Sequence, residues 1–498
     1  MPRSSTPSFV VERRMITNKA DNSFLEQKLK KCSCLQRIAI KHYSVLLKAL
    51  RKDVWYQESL QAWEKSNIDE EKKKLANEIY KCANFYCLTE YGIHSFLGRV
   101  KNGDEYYSDL NIDIIQKLGT NIYQAIKKNL FRPDGKIHIR YPDSMSAKKA
   151  NTGIIYRDKT GEVYIMGRSM KLKPVRAKDY WMMEALTHKI KYCRIVRRAH
   201  GIGYHYFLQI VMEGISPKKV KRGDGRCGID QGTSTLAYVT DNGTVFKPLA
   251  PDIHKYEKEV IKWARIYERR RRMANPECFN QNGTIKKGAK FKNFTRGIRN
   301  ALMHLKDAYR RKAAYIRQTH GHLTNEIVEA CDSIILEPMN WQALVRRAGS
   351  EKKKNRKKNP TQSKTNNKNR RKKRFGRSSQ RHAPGLLTTL IKQKATRYGI
   401  ELIEIDARQF KASQYDHVTD SYKKATLSAR VKKIGGHKVQ RDLYSAFLLY
   451  NYLDISKPDR ERCIRTFKHF LKTQGITVNT ILKNRDTTKT FGIKAFAA

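Results

Sequence analysis

The chain has 498 residues, 39% of them hydrophobic, so it can bury more than one core, and its length alone points to about two to four domains. Lys and Arg total 103 against 46 Asp and Glu, a formal net charge of +57. Self-repulsion on that scale calls for a polyanionic partner; nucleic acid fits, and a membrane surface does not, because no long basic helix carries a bulky apolar face.

The nine cysteines (Cys32, Cys34, Cys82, Cys87, Cys193, Cys227, Cys278, Cys331, Cys463) are odd in number and follow no framework spacing, which fits a reducing compartment. Residues 1–21 lack the apolar core of a signal peptide, and no apolar run nears the roughly 18 residues of a membrane span. The expectation is a soluble, cytoplasmic, nucleoid-associated protein.

In chain order, residues 8–12 read as an edge strand. From 24 to 97 the apolar spacing is helical, with Leu46, Leu47, Leu50, Leu60, Leu75 and Ile79 on repeating faces. A further helix is expected over 112–130. Between 136 and 214 the period changes to two. Strands are expected at 136–141, 153–156, 162–166, 192–197 and 204–211, with basic and aromatic residues interleaved. That composition suits a small β-barrel that tracks a nucleic-acid backbone, although tyrosines in a sheet are as often core. A basic linker spans 216–226. Strands follow around Asp230 and at 244–246, with Asn242-Gly243 as a hairpin turn. A helical pair over 253–330 contains the run Arg269-Arg270-Arg271-Arg272. An apolar strand over 331–338 then ends in Glu337, and Pro338 stops its ladder. Residues 346–382 are almost purely basic and polar, including Lys372, Lys373 and Arg374, and cannot bury a core. After a helix at 383–397 and a strand at 400–407, residues 408–437 are polar and irregular. The segment 439–453 reads as a helix with Asp442 in its first turn.

Three of these elements each deliver one acid: Asp230, Glu337 and Asp442. A carboxylate in an apolar strand is costly unless compensated, and a divalent cation is the usual compensation. Any one of these acids alone reads more readily as a satisfied surface group. Together, in this order of elements, they suit two Mg²⁺ ions about 4 Å apart that activate water against a phosphodiester. An all-oxygen donor set favours Mg²⁺, with Mn²⁺ as a substitute, over Zn²⁺.

The segments Gly228-Ile229-Asp230-Gln231-Gly232, Ile335-Leu336-Glu337 and Val439-Gln440-Arg441-Asp442 resemble the three split RuvC motifs of TnpB, the transposon-encoded RNA-guided nuclease family from which compact type V CRISPR effectors derive. The motif-level resemblance covers about residues 228–453; before that it is one of element order. It implies an α+β multidomain fold. Residues 1–30 would form the N-terminal part of a wedge β-region, 31–132 an α-helical recognition lobe and 133–222 the wedge β-barrel. An α/β RNase H-like nuclease core would span 223–407, with the basic loop 346–382. Residues 408–437 would be a target-loading ribbon remnant, and 438–498 the last RuvC helix and tail. The implied activity is RNA-guided endonuclease cleavage of double-stranded DNA, with a guide RNA pairing to the target as a heteroduplex, catalytic and metal-binding Asp230, Glu337 and Asp442, and either a monomer or a homodimer. Arg441 matches an arginine that the family often places beside the last acid, either on the scissile phosphate or in a helix salt bridge.

One departure stands out. The family usually has two Cys-x-x-Cys pairs before the last acid; residues 407–441 contain no cysteine, and His417 and His437 alone do not make a zinc site. A metal-free ribbon without structural zinc is therefore expected, with Tyr422, Lys423 and Lys424 replacing its nucleic-acid contacts. Two other classes stay open from the sequence: a nuclease-silent RNA-guided repressor, and an unguided RNase H-like transposase or resolvase.

Overall fold

In the first part of the chain a strand, β1 (Ser8–Arg14), leads into the helix α1 (Lys19–Leu50). Asn18 and Asp21 close a capping box at its start, each side chain accepting from the other's backbone N–H. Leu25, Leu29, Cys32, Leu35, Ala39, Tyr43, Leu47 and Leu50 recur every three or four residues, and all are buried. The helices α2 (Val54–Lys65), α3 (Asp69–Phe85), α4 (Glu90–Asn102) and α5 (Ile112–Leu130) complete this layer. Asp53, Thr89 and Asn111 cap three of them.

Next come β2 (Ser144–Ser146), β3 (Ile154–Arg157), β4 (Glu162–Ile165), β5 (Arg168–Lys171), the short helix α6 (Tyr180–Leu186), β6 (Ile190–His200) and β7 (Gly203–Glu213). The strands form two sheets, β1-β7-β6-β2 and β3-β4-β5. Among the described residues no barrel closes, which corrects the expected β-barrel: β2 pairs with β6 over only Ser144–Ser146, and the two sheets are joined by the single bridge between Met15 and Leu172. The interleaved tyrosines divide between two roles. Tyr156 and Tyr206 are core, while Arg157 and Arg197 lie over the rings of Tyr164 and Tyr204 at 4.9 and 4.6 Å.

This computed structural model describes residues 6–132, 143–345, 375–424, 426, 429–454, 457–483 and 491–493. The strand expected at 136–141 and most of the basic loop, 346–374, lie outside them. The chain divides into two compact units, Met1–Pro217 and Lys218–Ala498.

The second unit is built on a five-stranded sheet. Its strands β8 (Arg226–Gln231), β9 (Thr235–Thr240) and β10 (Gly243–Pro248) form an antiparallel meander. The long helices α7 (Ile253–Ala274) and α8 (Arg296–Ala330) lead to β11 (Ser333–Leu336). Helices α9 (Trp341–Val345), α10 (Phe375–His382) and α11 (Pro384–Tyr398) precede β12 (Glu401–Glu404). The order is β10-β9-β8-β11-β12, with β8, β11 and β12 mutually parallel. After α12 (Ala407–Phe410) come two small hairpins, β13 (Tyr415–Asp416) with β14 (Ser421–Tyr422) and β15 (Val431–Ile434) with β16 (His437–Gln440). Helices α13 (Arg441–Tyr450) and α14 (Arg460–Lys483) close the fold.

Alternate strand residues feed opposite cores. Cys227, Ile229, Leu236, Tyr238, Ile334 and Leu336 pack with Leu387, Ile391 and Ala395 of α11. Ala237, Val239, Phe246 and Ile335 pack on the other face with Leu443, Phe447 and Phe470. Three sequence-drawn boundaries fall inside elements: 30/31 in α1, 407/408 in α12 and 437/438 in β16. In α1 the reason is plain: residues 19–30 are polar in bulk, but Leu25 and Leu29 already carry the buried stripe. Among the described residues no helix is long and apolar enough to cross a membrane.

One close approach fixes the layering. A Cβ on Gly228 would lie 2.1 Å from the Tyr450 backbone N and 2.3 Å from the Ala446 carbonyl oxygen, so α13 rests on β8 backbone to backbone. Neither atom is the end of a flexible side chain. Gly228→Ala is expected to destabilise the second unit at or above the usual overpacking cost of about 1–3 kcal/mol. Gly475→Ala, in open space within α14, should stabilise it by about 0.5–1 kcal/mol. Urea unfolding of the two variants checks both signs.

Candidate active site

Register brings two of the acids level. β11 runs parallel to β8 with Leu336 beside Ile229. Glu337 follows directly on that last pair, as Asp230 follows Ile229, so both acids lie just past it. Because side chains alternate, Asp230 shares the face of Gly228, and Glu337 shares the face of Ile335. Both therefore belong to the face that α13 covers. They stand at the carboxyl ends of parallel strands, where α/β sheets place ligands.

The third acid arrives on the helix. Ala446 and Tyr450 touch Gly228, and Asp442 lies four residues before Ala446, so it occupies the same helical stripe one turn nearer the start. Gln440 sets that start: its Oε1 accepts from the Leu443 N–H at 2.8 Å, and its own N–H donates to Gln474 Oε1 at 2.9 Å. The β8 end is tied down as well. Gln231 Nε2 donates to the Pro384 carbonyl at 2.7 Å, and Thr388 Oγ1 donates to Gln231 Oε1 at 2.7 Å.

The electrostatics follow from this placement. Burial holds the Asp230 carboxyl well above the ordinary carboxylate range, and the charges of Asp442 and Glu337 push it further; Arg441 and Arg430 offset part of the rise. Burial also raises Glu337, helped by Asp406. No hydrogen bond among the described residues relieves either carboxyl, and both keep a face open to solvent. Asp442 is different: Arg430 Nη1 lies 3.1 Å from its Oδ2, and Arg441 Nη2 lies 2.9 Å from its Oδ1.

The donor chemistry fits a hard divalent cation: half-buried, oxygen-only and short of positive charge around Asp230 and Glu337. Among the described residues no three His, Cys, Asp or Glu side chains stand together in metal-holding geometry, Asp442 being engaged by the two guanidiniums. The structure thus brings Asp442 and Glu337 into electrostatic range of Asp230 without closing the three on one point.

The remaining predicted residues divide. Arg441 forms the helix-start salt bridge with its neighbour and also donates to the Ala429 carbonyl at 3.3 Å. In the basic run, Arg270 donates to the Gly297 carbonyl and Arg272 to the Gly283 carbonyl, while Arg271 pairs with Glu268 and lies 4.6 Å from the Phe291 ring centre. These three brace the connection between α7 and α8, and Arg269 points outward, exposed. Tyr422, Lys423 and Lys424 are exposed around β14, with the Tyr422 ring 5.0 Å from Tyr415. Lys372, Lys373 and Arg374 lie outside the described residues.

The segment 408–437 is held by apolar packing. His417 is buried, its Nδ1 is 2.8 Å from Tyr444 Oη, and its ring packs on Phe447 and Phe467. Sequence reasoning missed Asp406 and Arg430. Asp406 caps α12 just past β12, so an acid following a third parallel strand was a usable signal; Arg430 carried none.

No protein-family model and no curated protein matches the chain. Two solved structures show loose likeness. One is a Cas12f1–sgRNA–target DNA complex, at TM-score 0.47 and 13% identity, covering 90% of this chain and 99% of that one. The other is a CRISPR-Cas12f ternary complex, at TM-score 0.25 and 12% identity, covering 89% and 99%. At that degree of likeness neither bears on the reaction, and the site's own residues have to carry it.

Crowding of unrelieved carboxylates has a measurable sign. An acid raised in the folded state binds protons that the unfolded chain has released, so native stability falls as pH climbs from the ordinary carboxylate value toward the raised one. Asp230→Asn should therefore raise the melting temperature at pH 7 in EDTA, by about 0.5–2 kcal/mol in stability. The gain should vanish as pH drops to about 4, where both carboxyls are protonated. A melting series across pH reads it directly.

Proposed function

We propose that this chain is an RNA-guided DNA endonuclease that hydrolyses phosphodiester bonds at Asp230, Glu337 and Asp442. One observation carries the chemistry: Asp230 and Glu337 each follow the last pair of the parallel β8–β11 ladder, on the face to which α13 brings Asp442, and the charges of Glu337 and Asp442 raise the Asp230 carboxyl. The net charge of +57 supports a polyanionic substrate. Guidance by RNA rests on the resemblance of the three acid-bearing segments to the split motifs of TnpB; base pairing would then read the target while the protein reads duplex shape and a short flanking motif.

Asp230 and Glu337 are the residues that would hold magnesium, with Asp442 completing the set once freed from Arg430 and Arg441. The chemistry supplied by the bound metal is a water acidic enough to attack phosphorus and neutralisation of the charge that builds there. The chain's own contribution is orientation. Gly228 keeps α13 against β8, Gln231 pins the strand end, and Gln440 fixes the helix start. Arg430, 44% exposed, is the guanidinium free to exchange a carboxylate for a backbone phosphate.

A nuclease-silent nucleic-acid binder is the second reading, favoured by the double ion pair that engages Asp442. A plasmid assay with the copurified RNA and a matched target separates the two. Asp230→Ala should lower Mg²⁺-dependent cleavage by about 10³-fold or more while RNA and DNA affinities stay near wild type. Undiminished cutting by that variant removes the assigned centre; no cutting by the wild type favours the binder.

A further inference from the structure

The sheet has a second charged edge. The residues that lead into β8 and those that end α11 meet at the amino ends of the parallel strands, opposite the carboxylates. There the Lys219 backbone N–H donates to Tyr398 Oη at 2.9 Å, and Arg222 Nη1 donates to the Gly399 carbonyl at 2.8 Å. An open cleft of about 680 Å³ results, lined by Lys218, Lys219, Val220, Lys221, Arg222 and Tyr398. Four of its six walls are cationic and none is acidic.

Two more cations stand behind it on the last turns of α11. Arg397 lies over the Tyr398 ring at 5.6 Å, and its Nε and Nη2 are buried with no hydrogen-bond partner. Burying guanidinium nitrogens without an acceptor is costly, and native folds rarely leave it so. Lys394 donates to the Gly321 carbonyl at 3.0 Å and to Asn325 Oδ1. Burial, with Arg397 and Lys219 nearby, pushes its ammonium down to about 8, and Glu329 opposes that only in part. A run of linker lysines is ordinarily just solvated. Two buried guanidinium nitrogens without a partner beside them are not ordinary, and they mark a place short of negative charge.

We propose that this cleft binds the phosphodiester backbone of a nucleic acid, as a docking site separate from the carboxylate edge, with Lys218, Lys219, Lys221 and Arg222 facing the phosphates. It depends on the proposed function only in taking the anion to be nucleic acid. Lysines supply long-range attraction and point charges there, and Arg397 adds positive charge behind them.

The test is the salt dependence of binding in EDTA, with a labelled RNA hairpin and a labelled DNA duplex as probes. Each phosphate that a variant can no longer neutralise lowers the slope of log affinity against log salt by about 0.7–0.9. Lys218 and Lys221 are exposed, so the double alanine variant should fold, and its melting temperature verifies this. Its slope should fall by about 1.4–1.8 on the probe that occupies the cleft. A fall with the hairpin alone assigns RNA, a fall with the duplex alone assigns DNA, and a fall with both assigns a shared backbone site. Lys468→Ala with Lys472→Ala removes the same charge from the exposed side of α14 and should leave the slope unchanged. An unchanged slope in the cleft variant, or an equal fall in the α14 variant, overturns the proposal. Because no metal is present, loss of the nuclease assignment would leave this readout untouched.

Discussion

The second unit depends on one close approach. With no side chain at Gly228, the backbone of α13 comes down onto β8, and Ala446 and Tyr450 become part of the sheet's own surface. Asp442 follows from it, one helical turn away on the same stripe. Glu337 follows from the parallel register of β8 with β11. Three acids from distant parts of the chain thus reach one sheet edge through two backbone relations, and no side-chain contact among the acids is needed to hold them there.

What those relations create is unfavourable by itself. Asp230 and Glu337 are crowded, half-buried and, among the described residues, without hydrogen-bond donors, and their raised carboxyls record the conflict. Arg430 and Arg441 relieve Asp442 alone. The asymmetry matters. Two carboxylates are left without compensating charge while the third has its positive charge already, so under the proposed function gathering all three on a cation requires guanidiniums to let go. A guanidinium released beside a carboxylate edge is well suited to meet a phosphate.

Much of this was legible in the sequence, for definable reasons. Long helices with buried stripes, such as α1 and α8, declare themselves by period. The β8–β9–β10 meander was readable because turn residues separate short apolar runs. The three acids were readable as strand-end and helix-start residues, and their shared face follows from period-two alternation. Other features had no local signature. That no barrel closes among the described residues turns on long-range pairings such as the short β2–β6 ladder. The bracing roles of Arg270, Arg271 and Arg272 depend on carbonyls and rings that only the fold supplies, so a run that reads as a nucleic-acid patch also has partners within the protein. Arg430 reaches Asp442 from an irregular stretch, and no pattern in that stretch announces it.

The seating of α13 has one more implication, for the stretch of chain in front of it. The rotational phase of Asp442 is set by what lies behind it, the glycine-floored crossing at Ala446 and Tyr450. Residues 408–437 meet α13 through side chains instead: Arg430 pairs with Asp442, and His417 Nδ1 lies 2.8 Å from Tyr444 Oη. An insertion of one residue between Asp442 and Ala446, by contrast, would swing the acid about 100° around the helix axis. The first turn of α13 is therefore the place where a change of length costs the acid its bearing.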